Sequence, residues 1–532
     1  MSHIAPSEPS RNESVLSTKQ SLQAMLGLCL VTMLMSIDQT MVGTALPTVV
    51  AELNGFEFYA WVATASMLTS VITIPIFGRL GDYYGRKPFI VTSIALFTFC
   101  SVLCGMSGSM LQLVLARALQ GIALGMLMGT SFTSIADLFP DPHVRLRWQA
   151  MFSAAYGISS GIGPTLGGFL TQYIGWRSIF FVNVPIGLLG FFIVWRCLPH
   201  IRQLQAPAMR LDWQGAVLVA LGLGGLQLAV QFLPSIGITW PMLGLVLFTV
   251  VAFTGLVYWE KNHPAPLLPP ELFRNKSLAA LFFLSFFCGA IMFTLLFYAP
   301  LLFQGGFGFS PQKAGLLITP LVVFLTVGSI LNGRIVTRVR NPNVMLYTGF
   351  SLLGICLLGI VFTHQGTPDL VIIGYMVVGG LGLGFIMPNL NIFAQETAGR
   401  SQLGIATAVV QSVRMIGAML GLAVVGSLVT HYYTAGVRDT VRKYESATWH
   451  KLLEDPQLIV NVSARNSFLE RLNSMGLDGT PFIEAARVSL VSAIHSGQFV
   501  LLLAVILALF WVRRLPPVRF SRVVHPIAPT GE

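Results

Sequence analysis

Apolar stretches of about 20 residues, the length a helix needs to cross the hydrocarbon core of a bilayer, recur along the whole chain. Helices suit such a series because each satisfies its own backbone N–H and C=O groups within one segment in lipid. The pattern predicts fourteen membrane spans, with limits near 22–44, 59–77, 88–107, 110–131, 148–172, 179–198, 212–233, 238–258, 277–302, 312–332, 344–362, 368–390, 404–430 and 495–512.

The composition supports a membrane protein. Of the 532 residues, 54% are hydrophobic and 10% are charged, whereas soluble proteins carry about 25% charged residues. Residues 1–20 are polar and lack an apolar core, so we expect no cleavable signal peptide. The net charge of +11 would suggest nucleic-acid binding in a soluble protein, but its distribution among the loops explains it better. We therefore expect no nucleic-acid partner.

Lys and Arg are concentrated in alternate loops, which sets the orientation. With the N-terminus in the cytoplasm, the inside loops and the C-terminal tail carry most of the basic residues, and Arg177 is the clear exception outside. Both termini are then cytoplasmic. One outside loop, 431–494, is long and holds an amphipathic stretch, VRDTVRKYESATWHKLLEDPQL. Long loops cross the membrane regardless of charge, so its basic residues agree with this orientation.

The spans fall into two groups of six with two more between them. GRLGDYYGRKP follows the second span of the first group, and GRIVTRVRNP follows the second span of the last group. This repeat favours an all-α polytopic protein with a 6 + 2 + 6 arrangement. The predicted parts are a tail (1–21), a six-helix bundle (22–198), two inserted helices (212–258), a second bundle that includes the 431–494 loop (277–512), and a tail (513–532).

Asp38 is the only carboxylate that lies well inside a predicted span. A carboxylate in the membrane is costly unless it is protonated, paired or in contact with water, so such residues are functional by default. In these surroundings it can bind and release a proton, which is the property that a proton-coupled carrier needs. The alternative is a structural carboxylate near the outer end of the helix.

Two arginines also lie within predicted spans. Arg117 is midway along the fourth span, and its guanidinium, which keeps its proton, needs a carboxylate, carbonyl groups or water as a partner. The alternative to a functional role is a packing arginine bonded to backbone carbonyls. Arg414 lies in the thirteenth span. Arg414 has two possible roles. It contacts the substrate or proton site, or it forms a hydrogen bond between helices.

Several motifs resemble those of a known family. GRLGDYYGRK (78–87) is similar to the signature loop of the major facilitator superfamily, and LARALQG (115–121) to its fourth-span arginine motif. GISSGIGPTLGGFL (157–170) resembles the fifth-span motif of its antiporters. SIDQTMVGTALPTV and GWRSIFFVNVPIG narrow the resemblance to the fourteen-span drug:proton antiporters, and LLFQGGFGFSPQKAGLLITP and VRMIGAMLG extend it to the second half. The resemblance implies the major facilitator fold and places Arg117 in the proton-relay machinery near the cavity.

The resemblance also implies conformational roles for two motifs. The first loop is expected to latch the cytoplasmic side in one state, through Gly78, Asp82, Gly85, Arg86 and Lys87; an ordinary positive-inside loop is the alternative. The fifth-span motif is expected to limit leak in antiporters, and its small residues allow close helix contact. Its members are Gly157, Gly161, Gly163, Pro164, Gly167 and Gly168.

Other polar residues within spans are candidates for a cavity lining. They are Tyr156, Gln112, Asn332, Gln411 and, again, Arg414. For each neutral one, a hydrogen bond between helices is the alternative role. The chain shows no phosphate-binding loop, no HExxH and no metal-ligand spacing among its six cysteines. We therefore expect no metal and no cofactor, with a proton gradient as the energy source.

The sequence predicts an exporter of lipophilic small molecules and drugs that is driven by proton entry. A carrier of one metabolite, such as a siderophore, an amino acid or a sugar, is the alternative. A single membrane carboxylate is compatible with neutral or cationic substrates. An enzyme would show clustered His, Asp or Glu inside the spans, so we expect no catalytic residues.

The expected location is a plasma membrane, and a bacterial inner membrane is the first choice among these. The expected partners are the small-molecule substrate, protons and membrane lipid. A periplasmic adaptor with an outer-membrane channel is a candidate partner, and a monomer is the default state.

Overall fold

The part of the chain that the structure describes folds as helices and turns. This computed structural model describes residues 18–139, 142–199, 212–237, 239–263, 266, 270–336, 338–398, 403–443, 459, 462–474 and 479–516. Within these ranges there is no β-strand. The all-α class predicted from the apolar stretches is confirmed.

Two short helical turns adjoin the membrane helices. A 3₁₀ turn at Phe56–Phe58 precedes the second helix, and a π-helical turn at Leu302–Gly306 extends the eleventh. The helices are α1 (Thr18–Leu53), α2 (Tyr59–Tyr84), α3 (Arg86–Gly105), α4 (Met110–Leu138), α5 (Pro142–Tyr173), α6 (Ser178–Phe181), α7 (Asn183–Cys197), α8 (Trp213–Ile236), α9 (Trp240–Asn262), α10 (Pro270–Arg274), α11 (Lys276–Leu301), α12 (Pro311–Ile335), α13 (Asn343–Val361), α14 (Asp369–Ala398), α15 (Leu403–Lys443), α16 (Val462–Asn473) and α17 (Thr480–Val512).

Within the described ranges, 13 helical stretches are long and apolar enough to cross a membrane. One of them joins α6 and α7 as Ser178–Cys197. The remaining predicted span, 148–172, lies within α5, which has 32 residues. At about 1.5 Å per residue, a helix of that length exceeds the thickness of a bilayer core.

The helices on both sides of the predicted loop 431–494 extend into it. α15 continues to Lys443 and α17 begins at Thr480, with the short α16 between them. The apolar runs stop earlier than the helices because the extensions are amphipathic. They keep a buried face, on which Tyr433 is 0% and Ala486 2% exposed, while their polar residues lower the average hydropathy.

Two groups of six membrane helices pack in the same way. In the first half, α1 packs on α5, α2 on α4, and α3 on both α4 and α7. In the second half, α11 packs on α15, α12 on α14, and α13 on both α14 and α17. Such matching pairs are the arrangement expected of an internal repeat.

Pairs of glycines let the matched helices approach closely. Gly163 and Gly167 of α5 lie against α1, and Gly417 and Gly421 of α15 lie against α11. A Cβ atom at Gly421 would lie 2.7 Å from the Cα atom of Ala290, closer than real side chains approach. Small residues at this spacing are the usual device for bringing membrane helices into contact.

One serine in each half fixes the same register between these helices. The Ser36 hydroxyl of α1 donates to the Tyr156 carbonyl of α5 at 2.9 Å. The Ser285 hydroxyl of α11 donates to the Val410 carbonyl of α15 at 2.8 Å. These bonds and the glycine pairs assign each residue at the α1–α5 crossing a counterpart at the α11–α15 crossing.

The two inserted helices cover the junction between the halves. α8 packs on α9, on α2 of the first half and on α15 of the second. Gln227 of α8 donates through Nε2 to the Thr64 hydroxyl of α2 at 3.2 Å. The Ser427 hydroxyl of α15 donates to the Val230 carbonyl of α8 at 2.6 Å. The pair therefore contacts both halves of the protein.

The halves meet closely at the end where α1 finishes and α2 begins. The Tyr59 hydroxyl donates to the Phe297 carbonyl at 2.7 Å, and Gln304 donates through Nε2 to the Thr44 carbonyl at 2.7 Å. We call these contacts of Thr44, Tyr59, Phe297 and Gln304 the seam. Tyr59 is 2% exposed, so the seam is tightly packed.

Candidate functional site

Asp38 of α1 and Arg117 of α4 form a buried ion pair. Nη1 of Arg117 donates to Oδ2 of Asp38 at 2.7 Å, and the two residues are 1% and 2% exposed. Nε of Arg117 donates to the Val62 carbonyl of α2 at 3.2 Å. The tertiary fold thus brings into contact the two charged residues that the sequence analysis identified separately. Removing either would leave the other buried and unpaired.

The second oxygen of Asp38 is also bonded within the first half. Asn183 of α7 donates through Nδ2 to Asp38 Oδ1 at 2.8 Å, and Gln120 of α4 donates through Nε2 to the same oxygen at 3.2 Å. Gln120 accepts from Nη1 of Arg117 at 2.7 Å and donates to the Ser101 hydroxyl of α3 at 2.9 Å. The carboxylate therefore accepts hydrogen bonds from three side chains on two helices.

Sequence reasoning missed Gln120 and Ser101. Gln120 lies in the LARALQG motif, three residues after Arg117, a spacing that places both on one face of a helix. That spacing was the available signal. Ser101 is one of many small polar residues in apolar spans, and nothing in its local sequence distinguishes it.

The ion pair has no equivalent at the matching positions of the second half. The α11 counterpart of Asp38 is Phe287, by the register of the serine bonds. The α14 counterpart of Arg117 is Met376, by the matching glycine contacts of α4 with α2 and of α14 with α12. Met376 is 0% exposed. The second half packs hydrophobic side chains where the first half holds its charges.

A small cavity lies between the halves beside the ion pair. Six of its ten lining residues are apolar and the other four are polar or charged. The lining residues are Gln39, Ala63, Ser66, Met67, Ser70, Arg117 and Leu124 of the first half and Phe293, Phe297 and Met415 of the second. Because Arg117 contributes to the wall, a ligand in the cavity would lie next to the Asp38–Arg117 pair.

Three of the predicted cavity residues lie at or near the interface of the halves. The Tyr156 hydroxyl of α5 donates to Oε1 of Gln39, a lining residue, at 3.4 Å. Arg414 of α15 is 9% exposed and interacts electrostatically with Tyr156 across the interface. Gln411 is half-buried and lies almost one turn before Arg414 on α15.

Two of the predicted cavity residues lie elsewhere. Gln112 is exposed in the first turn of α4, where its Oε1 accepts from the Gly108 N–H at 2.9 Å. Asn332 of α12 is bonded to Asn389 of α14 by two amide hydrogen bonds of 2.7 Å and 3.3 Å. The cavity prediction was wrong for both because each amide is satisfied by the protein itself, at a helix start or between helices.

The predicted latch lies at the junction of α2 and α3. Gly85 separates the two helices with a φ of +87°, a conformation that favours glycine. Gly78 faces α4, and Arg86 and Lys87 are half-buried in the first turn of α3. The side chain of Asp82 lies outside the described residues. The latch function stays a prediction.

The fifth-span motif has two partners. Gly163 and Gly167 pack on α1 within the first half. The remaining members face α12 of the second half, namely Gly157, Gly161, Pro164 and Gly168. The hydroxyls of Thr165 and Thr319 add a hydrogen bond of 2.5 Å across the same interface. One helix therefore holds the first half together and also contacts the second half.

The described residues offer no metal centre. Among them, no three His, Cys, Asp or Glu side chains are placed to hold a metal ion. The six cysteines are unpaired, and all except the half-buried Cys197 are buried.

Comparison with known proteins identifies the family. The model of the Major Facilitator Superfamily matches residues 28–422 of the chain. The chain belongs to the major facilitator superfamily. It is similar to the multidrug transporter protein MdtP of Bacillus subtilis (strain 168), with 32% identity over 415 residues that cover 77% of this chain and 76% of that protein. Multidrug resistance protein 3 of the same organism is 29% identical over 462 residues, which cover 85% of this chain and 89% of its own.

A solved transporter structure shows the same architecture. A bacterial homolog of the human lysosomal transporter Spinster, in an inward-facing and unoccupied conformation, matches with a TM-score of 0.66 over 95% of this chain and 100% of that chain. At 14% identity, this similarity concerns the fold alone. The major facilitator fold and the resemblance to the superfamily's multidrug efflux members are confirmed. The chain is a multi-pass membrane protein of this superfamily.

Proposed function

We propose that this major facilitator protein exports lipophilic small molecules, drugs among them, from the cytoplasm in exchange for protons. The observation that carries the proposal is the buried Asp38–Arg117 pair in the wall of the central cavity. The names of the multidrug relatives support the substrate class. The energy source is the proton gradient, with no cofactor.

Asp38 is the proton carrier in this mechanism. The ionised carboxylate holds Arg117, Gln120 and Asn183 around it. Protonation removes its charge, weakens the bond to Arg117 and changes the packing among α1, α4 and α7. Proton binding can therefore bias the protein between two conformations, because the two protonation states favour different arrangements of these helices.

Asn183 supports a proton role for the pair. Its Nδ2 donates to Asp38, while its Oδ1 is buried and has no hydrogen-bond partner among the residues that the structure describes. An amide carries a donor and an acceptor at opposite corners, so a half turn would present Oδ1 to the O–H of a protonated Asp38. One side chain can thus bond both protonation states, which a purely structural ion pair does not require.

The orientation follows the distribution of Lys and Arg, with both termini in the cytoplasm of a bacterial inner membrane. Two cations on the opposite face are neutralised by carboxylates. Arg177 pairs with Glu52, and Nζ of Lys313 lies 2.9 Å from Oδ1 of Asp369. In this orientation the seam lies on the outer side, and a substrate reaches the cavity from the cytoplasm.

Cysteine labelling tests this orientation. Gln20 and Ser474 are exposed, and Cys197 is the one native cysteine that is not fully buried. In a Cys197→Ser background, an impermeant maleimide should label Ser474→Cys in intact cells and Gln20→Cys only after permeabilisation. The reverse pattern would overturn the assigned orientation.

Transport by the purified protein tests the function. Inside-out proteoliposomes with an acidic lumen should accumulate a lipophilic dye, and each dye molecule that enters should be accompanied by protons that leave. A protonophore should stop the accumulation. Uptake that persists after the gradient has collapsed would rule out proton exchange.

A further inference from the structure

Arg414 is a buried cation without a carboxylate beside it among the described residues. The residue is 9% exposed, and its Nη1 is buried with no hydrogen-bond partner in the part of the chain that the structure describes. The titratable side chains that interact with it electrostatically are Cys288 and Tyr156, both ordinarily neutral. An unpaired charged donor in low dielectric costs folding free energy. A bound group that accepted from Nη1 would offset that cost.

Arg414 lies next to a residue that lines the cavity from the second half. It lies on α15, and its electrostatic partner Tyr156 lies on α5 of the first half, so the guanidinium is at the interface between the halves. Tyr156 is bonded to Gln39. Gln39 and Met415, the residue that follows Arg414, both line the cavity.

Helix packing does not require a cation at this position. The register of the repeat makes Ser160 of α5 the counterpart of Arg414. The first half builds the same crossing with a serine, whose hydroxyl is bonded to the Ser36 hydroxyl. The second half has instead a guanidinium, and the Asp38 counterpart there, Phe287, provides no carboxylate to pair with it.

The charges around the cavity leave one positive charge unbalanced. Asp38 neutralises Arg117, and nothing among the described residues neutralises Arg414. A cationic ligand would be repelled by this excess charge. A ligand with one negative group would balance it, and its apolar part would contact Phe293, Phe297 and Met415.

We infer that the cavity takes lipophilic organic anions, with a carboxylate or sulfonate bound to Arg414. The inference rests on the proposed export function and narrows its substrates to a charge class. The sequence alone left neutral and cationic substrates open. The competing explanation is that Arg414 has a purely structural role. Dye transport by Arg414 variants distinguishes anion binding from a structural role.

The experiment compares two dyes in the same inside-out proteoliposomes. 8-Anilinonaphthalene-1-sulfonate is a lipophilic anion, and ethidium is a lipophilic cation. The proteins are wild type, Arg414→Gln, Arg414→Lys and a control, Arg274→Gln, which removes the same charge from an exposed position on α10. Melting temperatures are measured for all four so that folding defects are visible.

Wild type should accumulate the sulfonate. Arg414→Gln should slow sulfonate uptake roughly tenfold or more, the loss expected for one charge-assisted hydrogen bond, and should leave ethidium uptake unchanged or raised. Arg414→Lys should take up the sulfonate at an intermediate rate, because lysine keeps the positive charge but lacks the planar guanidinium that can form two parallel hydrogen bonds. Arg274→Gln should behave as wild type with both dyes.

Other outcomes would overturn the inference. Equal loss of both dyes in Arg414→Gln, with Arg414→Lys no better, would assign Arg414 a structural role. Wild type that moves ethidium in exchange for protons and does not move or bind the sulfonate would leave the export function standing and refute the anion preference. Uptake of both dyes without any dependence on the pH gradient would instead refute proton exchange.

Discussion

Asp38→Asn is expected to abolish proton-driven export while the protein still folds and reaches the membrane. Asparagine has nearly the shape of aspartate, and its side-chain oxygen can still accept from Arg117. It resembles the permanently protonated acid and cannot release a proton to the cytoplasm. The cycle should therefore stop in the protonated form. Asp38→Glu should keep part of the activity, because the acid survives in a shifted position.

The measurement is dye uptake into inside-out proteoliposomes under an imposed pH gradient, with protein content determined in parallel. Asp369→Asn is the matched control, since Asp369, the first residue of α14, is a carboxylate that is paired with Lys313. It should transport as wild type does. Gradient-driven uptake at the wild-type rate by Asp38→Asn would contradict the assignment and move the proton site to another acid, such as Glu52.

Arg117→Gln is expected to lower stability as well as transport. The substitution leaves Asp38 buried, 1% exposed, without its cation. Removing one partner of a buried pair costs about 3–5 kcal/mol in known cases. The melting temperature of the purified protein should fall, and gradient-driven uptake should be lost. Arg117→Lys should recover part of the stability, because it restores the charge but not the bond from Nε to Val62.

The double variant Asp38→Asn/Arg117→Gln separates the two effects. With both charges gone, the melting temperature should recover most of the loss seen in Arg117→Gln, since no buried charge remains unpaired. Transport should stay absent, because no acid is left to carry the proton. A double variant that melts no higher than Arg117→Gln would show that the two residues do not stabilise each other.

The sequence was sufficient for the membrane helices. Each predicted stretch is largely helical in the described residues, because a bilayer imposes one length and one polarity on every span and both can be read directly from residue order. The predicted ends of the helices agreed less well with the structure. α15 runs on to Lys443 because an amphipathic extension keeps packing after the apolar run has ended.

The importance of Asp38 and Arg117 could also be inferred from the sequence, since charged residues in lipid are rare and costly. Their pairing could not. Their contact joins positions 79 residues apart, on α1 and α4, and residue order does not fix the distance between those two helices. Asn332 is the opposite example. Its sequence position suggested a polar side chain free to line the cavity, but in the structure it is hydrogen-bonded to Asn389 of the neighbouring helix.

The sequence by itself determined the all-helical membrane architecture, the two charged positions in the first half and the motifs of the superfamily. These features depend on local composition and on short spacings along one helix. Only the tertiary structure decided which charges are neutralised. Asp38 of α1 and Arg117 of α4 pair with each other, whereas Arg414 meets only neutral groups among the described residues at the interface of the halves. Charge pairing depends on distances between helices, and residue order does not fix those distances.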